Sequence, residues 1–425
     1  MKGKHLAIGA FGVIVALLSA ACGGGSNNAS EPTTLTVWLM NGSAPQSVVD
    51  GVNADFKAAH PNTKVKVEIQ QWSNITTKLD TAYAGSNPPD VVELGNTLVA
   101  KYASAGALAN LGPKQSSFEN SSSWLKSLTE SCTLNGKLYC VPYYAGSRAV
   151  IYRKDMFDAA GLKPPTSMDG LLQVGRSLMN AHRNDPNFSA LYFPGKYWYA
   201  ALPFIWDFGG DIAVNSGGKW QGSLSSSGSQ QGLQQLNTLV STLSRADKTG
   251  DELKQDQAFA QGHIAMIIAN GWEAGVITGT SGGDPSLKDK LGAFPIPSHV
   301  DGQTAPVFLG GSDLAVAAKS KNQDLATDWV RRLANTKFQS QMVTVGGVIP
   351  NSTTLISLQT DPFASIFANA AKTSRFTPNA ANWANVESAN VIPDMLVSIF
   401  TKQATIPSAA QNADGKISQI LNSGT

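Results

Sequence analysis

The sequence predicts an α/β fold built on parallel strands. Residues 35–94 run strand, helix, strand, helix, strand, and each helix returns the chain so that the next strand starts in the same direction. Composition agrees: 42% of the 425 residues are hydrophobic and 15% are charged, enough apolar surface for a sizeable core and too much for global disorder. At about 150 residues per domain, the length predicts two or three domains.

The first 34 residues stand apart from that pattern. Lys2 and Lys4 precede a 13-residue apolar stretch, Leu6–Leu18, and small residues lead to Cys22. Thirteen residues are too few to span a bilayer, which needs about 20, so residues 1–21 read as an export signal. A cysteine directly after small residues resembles the lipobox of bacterial lipoproteins. That resemblance implies removal of residues 1–21 and acylation of Cys22. The match departs from the motif at Ser19, where the family prefers leucine. Residues 22–34, rich in Gly, Ser and Asn, read as a flexible tether of about 20 Å root-mean-square reach. Losing Lys2 and Lys4 from 32 basic and 30 acidic residues leaves a balanced chain, which argues against a nucleic-acid partner.

Leu35–Leu39 forms the first strand. Ser43 and Pro45 signal a helix start, and Val48, Val52, Phe56 and Ala59 share one helical face. Val65, Val67 and Ile69 alternate with Lys64, Lys66 and Glu68 in a second strand. A helix near Thr76–Ala84 leads through Pro88 and Pro89 to a third strand at Asp90–Leu94. Later strands are expected at Val150–Tyr152, Ala265–Ile268, Leu291–Pro297 and Leu314–Ala317. Helices are expected at Gln230–Leu243, Asp324–Leu333 and through the tail from Val386 to Leu421. The Gly/Ser-rich stretches 215–229 and 279–284 read as loops. Asn135-Gly136 between β-prone residues predicts a hairpin. A three-residue loop would set Cys132 directly opposite Cys140; a two-residue loop would offset them by one. Outside the cell the pair is expected to form a disulfide, with a metal pair as the alternative.

No motif carries catalysis. Gly279-Thr-Ser281-Gly-Gly283 matches G-x-S-x-G, but Gly282-Gly-Asp-Pro285 cannot easily start the helix that a nucleophile elbow requires. The five histidines show no zinc-binding spacing, and phosphate-loop and dinucleotide signatures are absent, so no metal or cofactor is expected.

The aromatic residues are placed more tellingly. In parallel α/β sheets ligands bind at the strand carboxyl ends, here Leu39–Gly42, which includes Asn41, and Glu93–Thr97. Trp38, Trp72, Tyr144, Tyr197, Trp198, Trp206, Trp272 and Trp383 follow or border expected elements, accompanied by polar residues such as Glu273. Flat rings that pack on C–H faces, beside donors and acceptors for hydroxyls, suit a sugar. Trp124, Trp220 and Trp329 read as structural.

In order along the chain, Leu35-Thr-Val-Trp38, Pro89-Asp-Val-Val-Glu93, Asn135–Pro142 with Ala149–Phe157, Phe204–Gly210, Gly262–Met266 with Gly271-Trp272, Gly347–Pro350 and Trp383 with its helical tail resemble the solute-binding proteins of carbohydrate ABC importers, of the maltose-binding type. The resemblance spans nearly the whole mature chain. It implies two α/β lobes, each a mainly parallel sheet flanked by helices: 35–144 plus 293–346, and 150–291 plus 351–425. Hinge crossings are implied near Ala145–Ala149, Leu291–Ala293 and Gly346–Pro350. Carried over by position, Glu93, Asn96, Tyr144, Tyr197, Trp198, Trp272 and Trp383 are ligand contacts, with backbone and hydroxyl contacts from Gly310, Gly311 and Ser312. Arg148, at the first crossing, either holds the hinge by a salt bridge or binds an anionic ligand group; the structural role is favoured.

The expected function is capture of a di- or oligosaccharide by a monomeric, lipid-anchored protein on the extracytoplasmic face of a bacterial membrane, and its delivery to an ABC permease. Two readings compete with it: an anionic ligand such as a glycerophosphodiester on the same scaffold, and an exported glycosidase.

Overall fold

The computed structural model describes residues 32–423. The signal segment, Cys22 and most of the tether lie outside the described residues. Strand β1 (Thr33–Met40) takes in the last two residues of the segment assigned to the tether. Leu35, Val37 and Leu39 are buried on one face, while Thr36 and Trp38 take the other, the period of two that a strand imposes. Helix Gln46–Ala59 buries Val48, Val49, Val52 and Phe56. It leads to β2 (Thr63–Gln70), helix Ile75–Ala84 and β3 (Val91–Gly95).

Two short strands, β4 (Thr133–Leu134) and β5 (Lys137–Leu138), enclose a two-residue Asn135-Gly136 loop with both residues at positive φ, which suits the right-handed twist of a hairpin. Thr133 pairs with Leu138, so Cys132 and Cys140 are offset by one position. Their Cα atoms are nevertheless only 4.9 Å apart, with the sulfurs at bonding distance.

Strand β6 (Val141–Gly146) passes into β7 (Arg148–Arg153) through the single residue Ser147. Residues 215–229, expected to be loop, instead fold into a hairpin, β8 (Ala213–Ser216) with β9 (Lys219–Gly222), and open helix Ser227–Leu243. Ser226 caps that helix by accepting from Ser229 N. There follow β10 (Met266–Asn270), β11 (Leu291–Phe294), β12 (Gly310–Val316) and β13 (Ile349–Pro350).

Two sheets result. The larger has the order β13-β6-β12-β3-β1-β2 and the smaller β10-β7-β11. The expectation of mainly parallel sheets holds only for β2–β1–β3; β12, β6 and β13 enter antiparallel, and β7 is antiparallel to both of its neighbours. The reason is topological. Strands β6, β12 and β13 belong to crossings between the sheets and need no crossover helix to reverse direction.

Each sheet has its own core. One joins Leu35, Phe56, Val91 and Tyr143 with Leu314, Trp329 and Phe338. The other joins Val150, Phe193, Phe204 and Met266 with the tail helices Val391–Phe400 and Ile406–Leu421. Ile296, Val307 and Phe308 also pack in this second core, so the chain returns to the first sheet at Leu309–Gly310 rather than near residue 293. No helix among the described residues is long and apolar enough to cross a membrane.

Candidate functional site

The carboxyl ends of β1 and β3 face the same junction as the carboxyl end of β10, because β6 and β7 lead from one sheet to the other. Asn41, just beyond β1, is exposed, its backbone N–H given to Gln70 O at 2.8 Å. Trp72 is 44% exposed, and its ring lies 3.6 Å from where a Cβ on Gly95 would stand, over the end of β3. On the other side Trp272, two residues past the end of β10, is 65% exposed. These two are the most exposed tryptophans among the described residues, and each stands at a strand terminus of a different sheet.

Several residues expected at the ligand are hydrogen-bonded to one another where the strands meet. Glu93 is buried. Its Oε2 accepts from Met40 N at 2.8 Å and its Oε1 from Tyr144 OH at 3.3 Å, tying β1 and β6 to β3. Burial drives its carboxyl up to about 7, against the opposing pull of those hydrogen bonds. Ser312, buried, donates to Tyr144 OH at 3.2 Å. Asn96 is buried and donates from Nδ2 to Leu309 O at 2.9 Å, fixing the crossing where the chain returns. Gly311 has φ +145°, and a Cβ there would lie 2.2 Å from Tyr144 O. It is glycine because the strands approach so closely.

Trp38 lies on the face of β1 opposite Leu35, Val37 and Leu39. It donates from Nε1 to Glu68 Oε2 at 2.8 Å, and Lys78 Nζ stands 5.0 Å above its ring. It lines a groove of about 800 Å³ between β1–β2 and helix Ile75–Ala84. That groove follows the sheet face rather than the strand ends, and Trp38 and Lys78 in it are already paired with Glu68 and Gln70.

Tyr197, Trp198, Trp206 and Trp383 are buried. These residues, expected as ligand contacts, are packed in the second core. Helix Trp198–Asp207 is apolar on nearly every side and is packed all round, notably against helix Ser227–Leu243. Trp383 is 1% exposed and tilts against Trp198 at 6.1 Å. Trp206 lies under Arg375 at 5.3 Å.

Arg148 is buried at the start of β7. Its Nε donates to Tyr197 OH at 2.9 Å, and its guanidinium lies over Tyr197, Tyr199 and Phe308 at 5.5, 5.0 and 5.8 Å. No salt bridge to Arg148 occurs among the described residues, so an aromatic cage takes the place of the expected ion pair. Glu273, buried below Trp272, accepts from Asn270 N and Gln255 Nε2, both at 2.7 Å. Burial raises its carboxyl despite these donors.

Sequence reasoning missed Phe308 and Glu387. Tyr199 stacks between Trp198 and Phe308, at 3.9 and 4.6 Å. Glu387 accepts from Trp383, Tyr199 and Thr97, and no local pattern marks it. At the G-x-S-x-G segment no strand precedes Gly279; helix Glu273–Ile277 does, and only the short 3-10 turn Pro285–Leu287 follows, so a nucleophile elbow is not built.

Comparison with known proteins agrees with this architecture. Residues 41–340 match the family model described as bacterial extracellular solute-binding protein. The chain is 34% identical over 435 aligned positions to the diacetylchitobiose binding protein DasA of Streptomyces coelicolor, covering 99% of each chain. It is 24% identical to a lactose-binding protein of Rhizobium radiobacter, covering 74% of each. Among solved structures, the GacH receptor of Streptomyces glaucescens matches with a TM-score of 0.77 at 22% identity, covering 92% of this chain and 99% of that one. The sugar-binding protein MalE of Xanthomonas citri matches with 0.79 at 21%, covering 92% and 97%. Both likenesses show the two-lobed fold.

Proposed function

Because this chain belongs to the bacterial extracellular solute-binding proteins, we propose that it captures a di- or oligosaccharide between its two lobes and delivers it to an ABC permease. The observation that carries the reading is the pair of exposed rings, Trp72 on one lobe and Trp272 on the other, at the strand ends where the two sheets meet. Tryptophan left that exposed lacks the burial that normally stabilises it, and a sugar's C–H face supplies the missing contact. Asn41 stands beside the crevice as a hydroxyl partner. The relatives that bind diacetylchitobiose and lactose support a short oligosaccharide.

The first lobe comprises residues 35–144 with the segment returning at 310–346, and the second the remainder of the mature chain. The leader is removed, Cys22 carries the lipid, and a monomer works on the extracytoplasmic face of the membrane. In that oxidising setting Cys132 and Cys140 are disulfide-bonded. The chain binds its ligand without turning it over.

Titration calorimetry against diacetylchitobiose, lactose, maltose and maltodextrins tests the reading. Binding of at least one, weakened about tenfold or more by Trp272→Ala, is expected; silence across the panel overturns it. A second reading, an anionic ligand, draws on Arg148, a buried cation with no ion-pair partner among the described residues. Glycerophosphodiester binding that disappears in Arg148→Ala would favour it.

A further inference from the structure

Glu387 lies where the two lobes touch. Its helix, Trp383–Ser388, packs in the second core through Trp383 and Val386. Its Oε1 accepts from Trp383 Nε1 at 2.8 Å and from Tyr199 OH at 3.4 Å, both in the second lobe. Its Oε2 accepts from Thr97 Oγ1 at 3.2 Å, and Thr97 lies two residues past the end of β3 in the first lobe. One carboxyl thus joins the lobes. Through Tyr199 it also reaches the hinge, since the Arg148 guanidinium lies over that ring.

No cation answers this carboxyl among the described residues. The helix packs against Asn96–Leu98, Val99–Ser104, Val391–Phe400 and Ile406–Leu421. Of the charged residues on these elements, Lys101 is held by Asp80 at 2.8 Å, and Asp414 accepts from Leu224 N and Ser225 N. Asp394 and Lys416 are exposed. Tyr199 is the titratable group in contact.

We propose that Glu387 is a positioning residue that couples closure of the lobes to uptake of a proton. With Thr97 against it, the half-buried carboxyl is held by donors from both lobes and keeps little contact with water. With the lobes apart, water replaces Thr97 and solvates the charge. Burial drives the enclosed acid up to about 7, the hydrogen bonds from Trp383, Thr97 and Tyr199 opposing it only in part, against 4.5 for a solvated carboxyl. The sign follows from linkage. Between those two values only the closed form holds the proton, so falling pH favours closure, and above about 7 closure must bury a bare charge. If the whole difference arises on closure, about half a proton is taken up per ligand bound at pH 7, and affinity is up to about tenfold higher at pH 6 than at pH 8.

The inference rests on the reading of the chain as a two-lobed sugar binder. Its test is calorimetry with diacetylchitobiose at pH 7 in two buffers of different ionisation heat, on the wild type and on Glu387→Gln, a neutral isostere. Proton uptake in the wild type that vanishes in the variant is expected. Zero uptake in the wild type, or equal uptake in both, overturns it, and the wild-type result needs no variant to fold. A second arm uses no ligand: small-angle scattering from pH 5.5 to 8.5, where the wild type becomes more compact at acid pH and Glu387→Gln does not change. A pH-independent wild-type shape overturns the proposal even if no sugar binds. Sugar binding without uptake overturns it while leaving the function standing.

Discussion

Glu93 Oε2 accepts the backbone N–H of Met40 at 2.8 Å, so the loop that leaves β1 for the crevice is tied to the neighbouring strand by a buried carboxyl. Because burial holds that acid near 7 in the folded protein, against an ordinary 4.5, its contribution favours the folded state at low pH and is lost as pH rises through 7. The wild type is therefore expected to be less stable at pH 8 than at pH 6, and Glu93→Gln to narrow that gap by up to about 1.4 kcal/mol. Denaturant unfolding at both pH values checks this; an unchanged gap would refute it.

Trp272 and Trp383 should respond in opposite ways. Trp272→Ala removes an exposed ring, so the melting temperature should barely move while sugar affinity falls by about tenfold or more. Trp383→Ala empties part of a packed core and is expected to cost about 3–5 kcal/mol of stability. Calorimetry paired with thermal melts separates the two.

At Gly311 an added methyl would meet Tyr144 O at 2.2 Å. Gly311→Ala should therefore destabilise the protein by about 2 kcal/mol or more, because β12 must move away from β6. Chemical denaturation measures it, and a neutral result would mean that the strands part easily.

The Cys132–Cys140 pair closes a short loop in the first lobe. Native protein should show no thiol reactive with an alkylating agent at either position, and reduction should cost about 2–3 kcal/mol. Intact-mass analysis with and without reductant decides the first point, and urea unfolding the second.

The parts of this fold that were legible are local ones. Val65, Val67 and Ile69 announce β2 by alternation, and Asn135-Gly136 announces its hairpin. What escaped depends on partners distant in sequence. Glu93 pairs with Leu314 in an antiparallel ladder, and no periodicity near either residue states that direction. Trp72 and Trp383 each read as a ring bordering an element, yet one is open and the other sealed. The difference lies in the helices that cover Trp383. Glu387 was invisible because its donors come from three separate segments. Hinge crossings were expected only through resemblance, and the chain returns to the larger sheet at Leu309–Gly310 because Phe308 is still packed in the other core.

Ser147 is the only residue between β6 and β7, and its Oγ donates to Phe367 O at 2.5 Å. The two sheets are therefore joined on this thread by an almost unbroken ribbon, with no slack to let them slide apart. Relative movement must be rotation, taken up by the torsion angles of very few residues. Such a pivot lets rings far from it sweep through large arcs while the peptide beside it hardly shifts, which is how small changes near the seam become the opening and shutting of the mouth.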